Sequence, residues 1–154
     1  MTNNHATCVA FGRFGVLIRG PSGFGKSSLA LRLIDAEGFG FGSNKLKAKL
    51  VADDQVMLER TGLNVSATHP AALAGQLEIR GLGIVTLDHL KAARLRLIVD
   101  LVSTKSIPRM PELAEARVEL LGVMLPRLYL DAHTADASAK LRAAVVHLKH
   151  NNSF

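Results

Sequence analysis

Apolar and polar positions change their spacing along this chain in a way that marks alternating strands and helices. The pattern predicts two short strands, Thr7 to Ala10 and Gly15 to Arg19, around a turn at Gly12-Arg13. From Lys26 to Glu37 the spacing lengthens to that of a helix, with Leu29, Leu33 and Ile34 on one side and Gly38 as its stop. Gly38 to Asn44 reads as a loop by composition. Leu50-Val51-Ala52 leads into Asp53-Asp54, Gln55 to Glu59 continues as a strand, and Asn64 to Ala67 is placed to pair with it. His69 to Ala74 is a short helix or turn, Gln76 to Ile79 is extended, and Gly81-Leu82-Gly83 breaks it. A short helix is expected over Leu87 to Ala92. The run from Leu95 to Val102, largely apolar and interrupted by Asp100, is expected as a buried strand. Ser103 to Pro111 is a loop, Val118 to Leu121 and Leu128 to Leu130 are further strands, and Asp136 to Leu148 is a terminal helix with Leu141, Val145 and Leu148 on one face. No internal repeat and no second-domain boundary interrupts this order, so residues 1–154 are expected to form one α/β domain.

Between the strand at Gly15 and the helix at Lys26 lies Gly20-Pro21-Ser22-Gly23-Phe24-Gly25-Lys26-Ser27. It fits the phosphate-binding P-loop, G-x-x-x-x-G-K-S/T, at every fixed position and in the strand–loop–helix context that the motif requires. At ordinary residue frequencies a chance match in a chain of this length is on the order of one in a few hundred. Phosphate oxygens need donors, and glycines let successive backbone N–H groups face one point. The following helix adds its positive dipole end. Lys26 then reaches the β- and γ-phosphates and the Ser27 hydroxyl is a magnesium ligand. A turn that merely joined strand to helix would need neither the Lys nor the Ser.

Composition narrows the setting. The chain has 154 residues, 48% of them hydrophobic, with few aromatics and no Trp, so Leu, Val, Ile and Ala must fill the core. No apolar run is long enough to cross a membrane, and Met1-Thr2-Asn3-Asn4-His5 lacks the regions of a signal peptide. The single cysteine, Cys8, allows no internal disulfide, and together these features favour the cytoplasm. The net charge of +6 suits nucleotide, nucleic acid or an acidic partner. The basic residues are dispersed, however, and Lys45, Lys47 and Lys49, the one tight cluster, read as a solvated face, so nucleic acid is not expected.

A carboxylate at the end of a strand after the P-loop helix is where a phosphoryl-transfer site holds its metal. Leu50-Val51-Ala52-Asp53-Asp54 fits that place. Neighbours on a regular strand point to opposite faces, so only one of the two would aim inward; a turn beginning at Asp53 lifts that limit. One Asp would then support magnesium while the other accepts a proton from a hydroxyl nucleophile. Glu78 and Arg80 share a face opposite Leu77 and Ile79, as they would on any solvated edge strand. Arg109, in a Pro-flanked loop, suits either charge on a transferring phosphoryl group or plain solvent exposure. His5 alone reads as a solvated terminal residue, and the other histidines show no metal-ligand spacing.

Taken in order, His5, Gly15-Val16-Leu17-Ile18, the segment Gly20 to Leu31, Leu50-Val51-Ala52-Asp53-Asp54 and Leu77-Glu78-Ile79-Arg80-Gly81-Leu82-Gly83-Ile84 resemble the catalytic domain of HPr kinase/phosphorylase. The resemblance covers nearly the whole chain, and the last two segments are more specific to that family than the P-loop. It implies a P-loop-containing kinase domain with a mixed, strand-rich central sheet and flanking helices, in the short form that consists of the catalytic domain alone. It further implies ATP- and Mg²⁺-dependent phosphorylation of a serine on the phosphocarrier HPr, with phosphate-dependent dephosphorylation releasing pyrophosphate as the reverse activity. By position, Gly20, Pro21, Ser22, Gly23, Phe24, Gly25, Lys26, Ser27 and Ser28 would hold the nucleotide, and Ser27 and Glu78 the metal. Asp54 is favoured as proton acceptor with Asp53 supporting metal or water, and His5 would line the same site. Arg109 in Ile107-Pro108-Arg109-Met110 resembles the family's catalytic arginine loop, and Leu125-Pro126-Arg127-Leu128 a later segment linked to dephosphorylation. A homo-oligomer, a hexamer in the long form, is implied in the same way. Two other readings compete. A small-molecule P-loop kinase or other NTPase would need a substrate-closing lid rich in arginine, which is not evident. A non-catalytic nucleotide sensor could dispense with His5, the Asp pair and Arg109.

Overall fold

Strands that are apolar on both faces belong at the centre of a sheet, and Val16-Leu17-Ile18 and Leu97-Ile98-Val99 lie side by side there. In the computed structural model, which describes residues 1–154, the chain runs β1 (Thr2–His5), β2 (Thr7–Phe11), β3 (Phe14–Arg19), α1 (Lys26–Asp35), β4 (Lys49–Ala52), β5 (Gln55–Thr61) and β6 (Asn64–Thr68). It continues through β7 (Gln76–Ile79), β8 (Gly83–Thr86), β9 (Ala92–Leu101), β10 (Arg117–Leu120), β11 (Val123–Leu130) and α2 (Ala137–Asn151). Nine strands form one sheet, β1-β5-β6-β9-β3-β2-β4, with β11 added to β9 and β10 to β11. Only β3–β9 and β9–β11 are parallel. The remaining two strands, β7 and β8, make a separate hairpin. The fold is α/β, a mixed, strand-rich sheet with two helices.

Both helices cover the same face. Leu29 and Leu33 of α1 and Leu141, Val145 and Leu148 of α2 pack on Val16, Ile18, Leu97 and Val99. On the other face Cys8, Leu17 and Ile98 meet Val56, Leu58, Val65 and Ala67 from β5 and β6. The sheet therefore curls until β2 approaches β5 and β4 approaches β6. Buried Cys8 has its thiol pushed up to about 12 by desolvation, so it stays protonated. Behind the sheet, buried Arg142 of α2 donates to the Ala36 carbonyl at 2.5 Å and the Leu46 carbonyl at 3.1 Å, which ties down the C-terminal end of α1. Burial lowers the pKa of that guanidinium.

The elements differ from expectation in instructive places. No helix forms over Leu87 to Ala92: Leu87 N–H donates to the Gly75 carbonyl and Leu90 N–H to the Leu50 carbonyl, and β9 has already begun at Ala92. Six residues are too few for a helix to hold against partners that strands offer. α1 stops at Asp35, before the expected Glu37, and Gly38 instead lies beneath Arg142. β1 and β8 are strands only because β5 and β7 pair with them. β11 runs from Val123 through Pro126, earlier than the expected Leu128. Pairing with β9 starts at Arg127, so the proline falls where β11 has no β9 partner. Lys45, Lys47 and Lys49 are exposed, as expected.

Gly15 marks the tightest point of the central pair. β9 bulges opposite it, since Gly15 faces Leu95 while Val16 faces Leu97. A Cβ on Gly15 would run into the Arg94 carbonyl, its carbon 2.9 Å away. Gly15→Ala should therefore lower stability by about 2 kcal/mol in chemical denaturation. A variant within about 0.5 kcal/mol of wild type would show that the bulge yields freely.

Candidate active site

β3 delivers the chain to the phosphate loop, and α1 carries it away. Gly23 and Gly25 have φ of 85° and 91°, left-handed values that side chains resist, and Gly25 is the N-cap of α1. The first helical bond runs from Leu29 N–H to the Gly25 carbonyl at 2.9 Å, so the N–H groups of Lys26, Ser27 and Ser28 remain for a ligand. Lys26 is 8% exposed. Its Nζ donates to the Gly20 carbonyl at 2.6 Å and the Pro21 carbonyl at 3.2 Å, so the loop shapes itself around its own lysine. Desolvation lowers the pKa of that ammonium, partly opposed by Asp53 and Asp54.

The two aspartates occupy the bend between β4 and β5, not a regular strand. Asp54 has φ of 66°, a left-handed conformation that Asp tolerates better than most residues. That bend brings both carboxylates to one cleft in different environments. Asp53 is 8% exposed. Its Oδ1 accepts from Thr7 Oγ1 at 2.8 Å and Ser27 Oγ at 2.9 Å, and its Oδ2 accepts from the Glu78 N–H at 3.3 Å. Asp54 is exposed and meets only His5, whose Nε2 stands 2.9 Å from Oδ1. β1 places that histidine by pairing His5 with Gln55.

These groups surround a cleft of roughly 460 Å³, large enough for a small-molecule ligand. His5, Ser22, Gly23, Gly25, Lys26, Ser27, Ser28, Asp53, Asp54 and Glu78 all line it. Gly20, Pro21 and Phe24 do not; the first two supply carbonyls to Lys26, and Phe24 N–H donates to the Pro21 carbonyl at 3.1 Å. Arg109 stands outside the cleft, exposed in the loop between β9 and β10. Leu31, Ile79, Arg80 and His133 complete the wall. His133 carried no signal, because only the tertiary structure shows that β11 runs parallel to β9 and ends beside the phosphate loop. Thr7 was also missed, although a hydroxyl inside Thr7-Cys8-Val9-Ala10-Phe11, an otherwise apolar run, asks for a buried partner.

The base of the loop is braced by ions. Arg19, the last residue of β3, makes a bidentate pair with Asp100 of β9 at 2.7 and 2.8 Å. Arg127 of β11 lies 3.6 Å from the same carboxylate and stacks on Tyr129. This explains the one carboxylate in the strand, next to the buried run Leu97-Ile98-Val99. No group of three or more His, Cys, Asp or Glu side chains converges, and no helix is long and apolar enough to cross a membrane.

A family model described as the HPr Serine kinase C-terminal domain matches residues 1–153. A protein of Bordetella pertussis named HPr kinase/phosphorylase is 37% identical over 143 residues, which is 86% of this chain and 43% of that protein. One of the same name from Enterococcus faecalis is 32% identical with the same coverage. The chain thus spans less than half the length of these relatives. The solved structure of the Hpr(Ser) kinase/phosphatase from Coxiella burnetii superposes with a TM-score of 0.78 over 98% of both chains; at 22% identity the likeness is one of fold.

Thr7→Val keeps the shape of β2 but removes one donor from Asp53. Hydrogen bonds to charged groups are worth about 2 kcal/mol, so chemical denaturation at neutral pH should register a loss of that size. An unchanged midpoint would mean that Asp53 is held without Thr7.

Proposed function

The chain belongs to the HPr serine kinase C-terminal domain family, and from that premise we propose that it transfers the γ-phosphoryl group of ATP to a serine hydroxyl of an HPr-like phosphocarrier protein. The observation that carries the reading is the pair Asp53 and Asp54, adjacent in sequence yet opposite in environment, at the mouth of a P-loop. Phosphoryl transfer asks for in-line placement and charge neutralisation more than for covalent help. Gly23, Gly25 and the free N–H groups at the start of α1 suit the phosphates, and Lys26 exchanges its carbonyl partners for phosphate oxygens. The oxygen donors Ser27, Asp53 and Glu78 fit a hard cation such as Mg²⁺, which takes few protein ligands and completes its shell with phosphate oxygens and water. When bound, the ion neutralises charge between the β- and γ-phosphates.

Asp53 is already committed to Thr7, Ser27 and the Glu78 N–H, so it is poorly placed to shuttle protons. Asp54 is free apart from His5. In the proposed step the serine oxygen bonds to the γ-phosphorus, the bond from that phosphorus to the bridging oxygen breaks, and the serine proton passes to the Asp54 carboxylate. ADP leaves, and His5 holds Asp54 toward the acceptor. The reverse reaction uses the same carboxylate as acid, with inorganic phosphate as attacking group and pyrophosphate as product. The proposal takes residues 1–154 as one catalytic domain acting in the cytoplasm as part of a homo-oligomer.

The direct test is to incubate the protein with ATP, Mg²⁺ and HPr from the same organism and to look for an acid-stable phosphate on one serine. Turnover of a metabolite with no transfer to HPr would replace this reading with that of a small-molecule kinase. A second test isolates Asp54. Asp54→Asn should lower transfer by about a thousandfold while nucleotide binding survives. Transfer at the wild-type rate would remove Asp54 as proton acceptor.

A further inference from the structure

His133 enters the cleft from the turn between β11 and α2, and its backbone N–H and Nδ1 both face one carboxylate. Its backbone N–H donates to Asp131 Oδ1 at 2.9 Å, and the same oxygen lies 3.3 Å from its Nδ1. Asp131 is anchored in turn, its Oδ2 accepting from Thr104 N–H at 3.0 Å and Thr104 Oγ1 at 2.6 Å. Ala132 is buried, and its carbonyl accepts from Arg32 of α1. A Cβ built on Gly25 would stand 3.1 Å from the Ala132 methyl and 3.9 Å from His133 Nε2. The imidazole is thus held against the phosphate loop at the N-cap of α1, while its side chain remains 69% exposed. Nε2 has no partner within the chain.

We propose that His133 is a nucleotide-binding residue whose Nε2–H donates to a phosphate oxygen of the nucleotide. The proposal rests on the nucleotide-binding reading of the cleft given above. Its chemistry follows from Asp131. The Thr104 hydroxyl, first, and the His133 N–H hold that carboxyl down to about 2, so it is ionised at any working pH. With Nδ1 against that carboxylate, a protonated ring donates from both nitrogens, Nδ1 toward Asp131 and Nε2 outward. In that form Nε2 is a charge-assisted donor with no acceptor in the protein, and a phosphate oxygen supplies one. Lys26 approaches from α1, so the two cations would bracket the phosphates.

The test reads ADP affinity in the presence of Mg²⁺ by calorimetry. Lys26, Arg80, His5, Asp53, Asp54 and Glu78 face the same cleft, and the phosphate itself titrates, so each variant is compared with wild type at the same pH. His133→Gln should bind about tenfold more weakly than wild type near pH 6, and within about threefold near pH 8.5, where an ordinary imidazole is neutral. His133→Lys, charged at both values, should restore binding and flatten the pH dependence. A His133→Gln variant that matches wild type near pH 6 would overturn the proposal, as would a His133→Lys variant as weak as the Gln one. If wild type binds no ADP at all, the nucleotide reading itself falls; if wild type binds and the variants do not differ, only this inference does.

Discussion

The buried carboxylate of Asp53 is the contact on which the cleft depends. Taking a carboxylate out of water is costly unless several donors replace its hydration. Here the donors come from three separate elements: Thr7 from β2, Ser27 from α1 and the Glu78 N–H from β7. Satisfying one charge therefore locks the sheet, the P-loop helix and the β7–β8 hairpin into one arrangement. The hairpin has most to gain, because two strands alone are marginal in water. Buried Leu77 and the Glu78 N–H are its two points of attachment near the cleft.

The same bond network separates the roles of two adjacent residues. Asp53 accepts hydrogen bonds from three elements of the fold, and Asp54, turned outward by a left-handed backbone, meets only His5. The phosphate loop is similarly prepared. Lys26 holds the loop's own carbonyls, and Arg19, Asp100 and Arg127 brace the strand that carries it. Such preorganisation would serve the phosphoryl transfer proposed above, since charge stabilised by fixed dipoles requires no rearrangement at the moment of reaction. On the far side of the loop, Arg32 and Asp131 hold Ala132 and His133 in place, so that wall of the cleft is fixed as well.

Local chemistry made much of the molecule readable in advance. The P-loop, the strand before it and the helix after it follow from glycine spacing, a lysine and periodicity over a few residues. α2, the central strands and the exposed lysines follow equally from patterns contained in single segments. Sequence also left open whether Asp53 and Asp54 could face one cleft, and named the bend that would allow it. The expected helix over Leu87 to Ala92 failed because its backbone groups are claimed by Gly75 and Leu50, residues remote in the chain.

The match to the P-loop pattern, the α/β class and the likeness to one kinase family could be read from the chain alone, since each is written in residues close together along it. Tertiary structure alone decided which aspartate is buried, that Thr7 is one of its donors, that Arg109 lies outside the cleft and that His133 lies within it. The physical reason is the same in each case. A side chain's environment depends on which strand becomes its neighbour, and that pairing is settled by burial across the whole sheet.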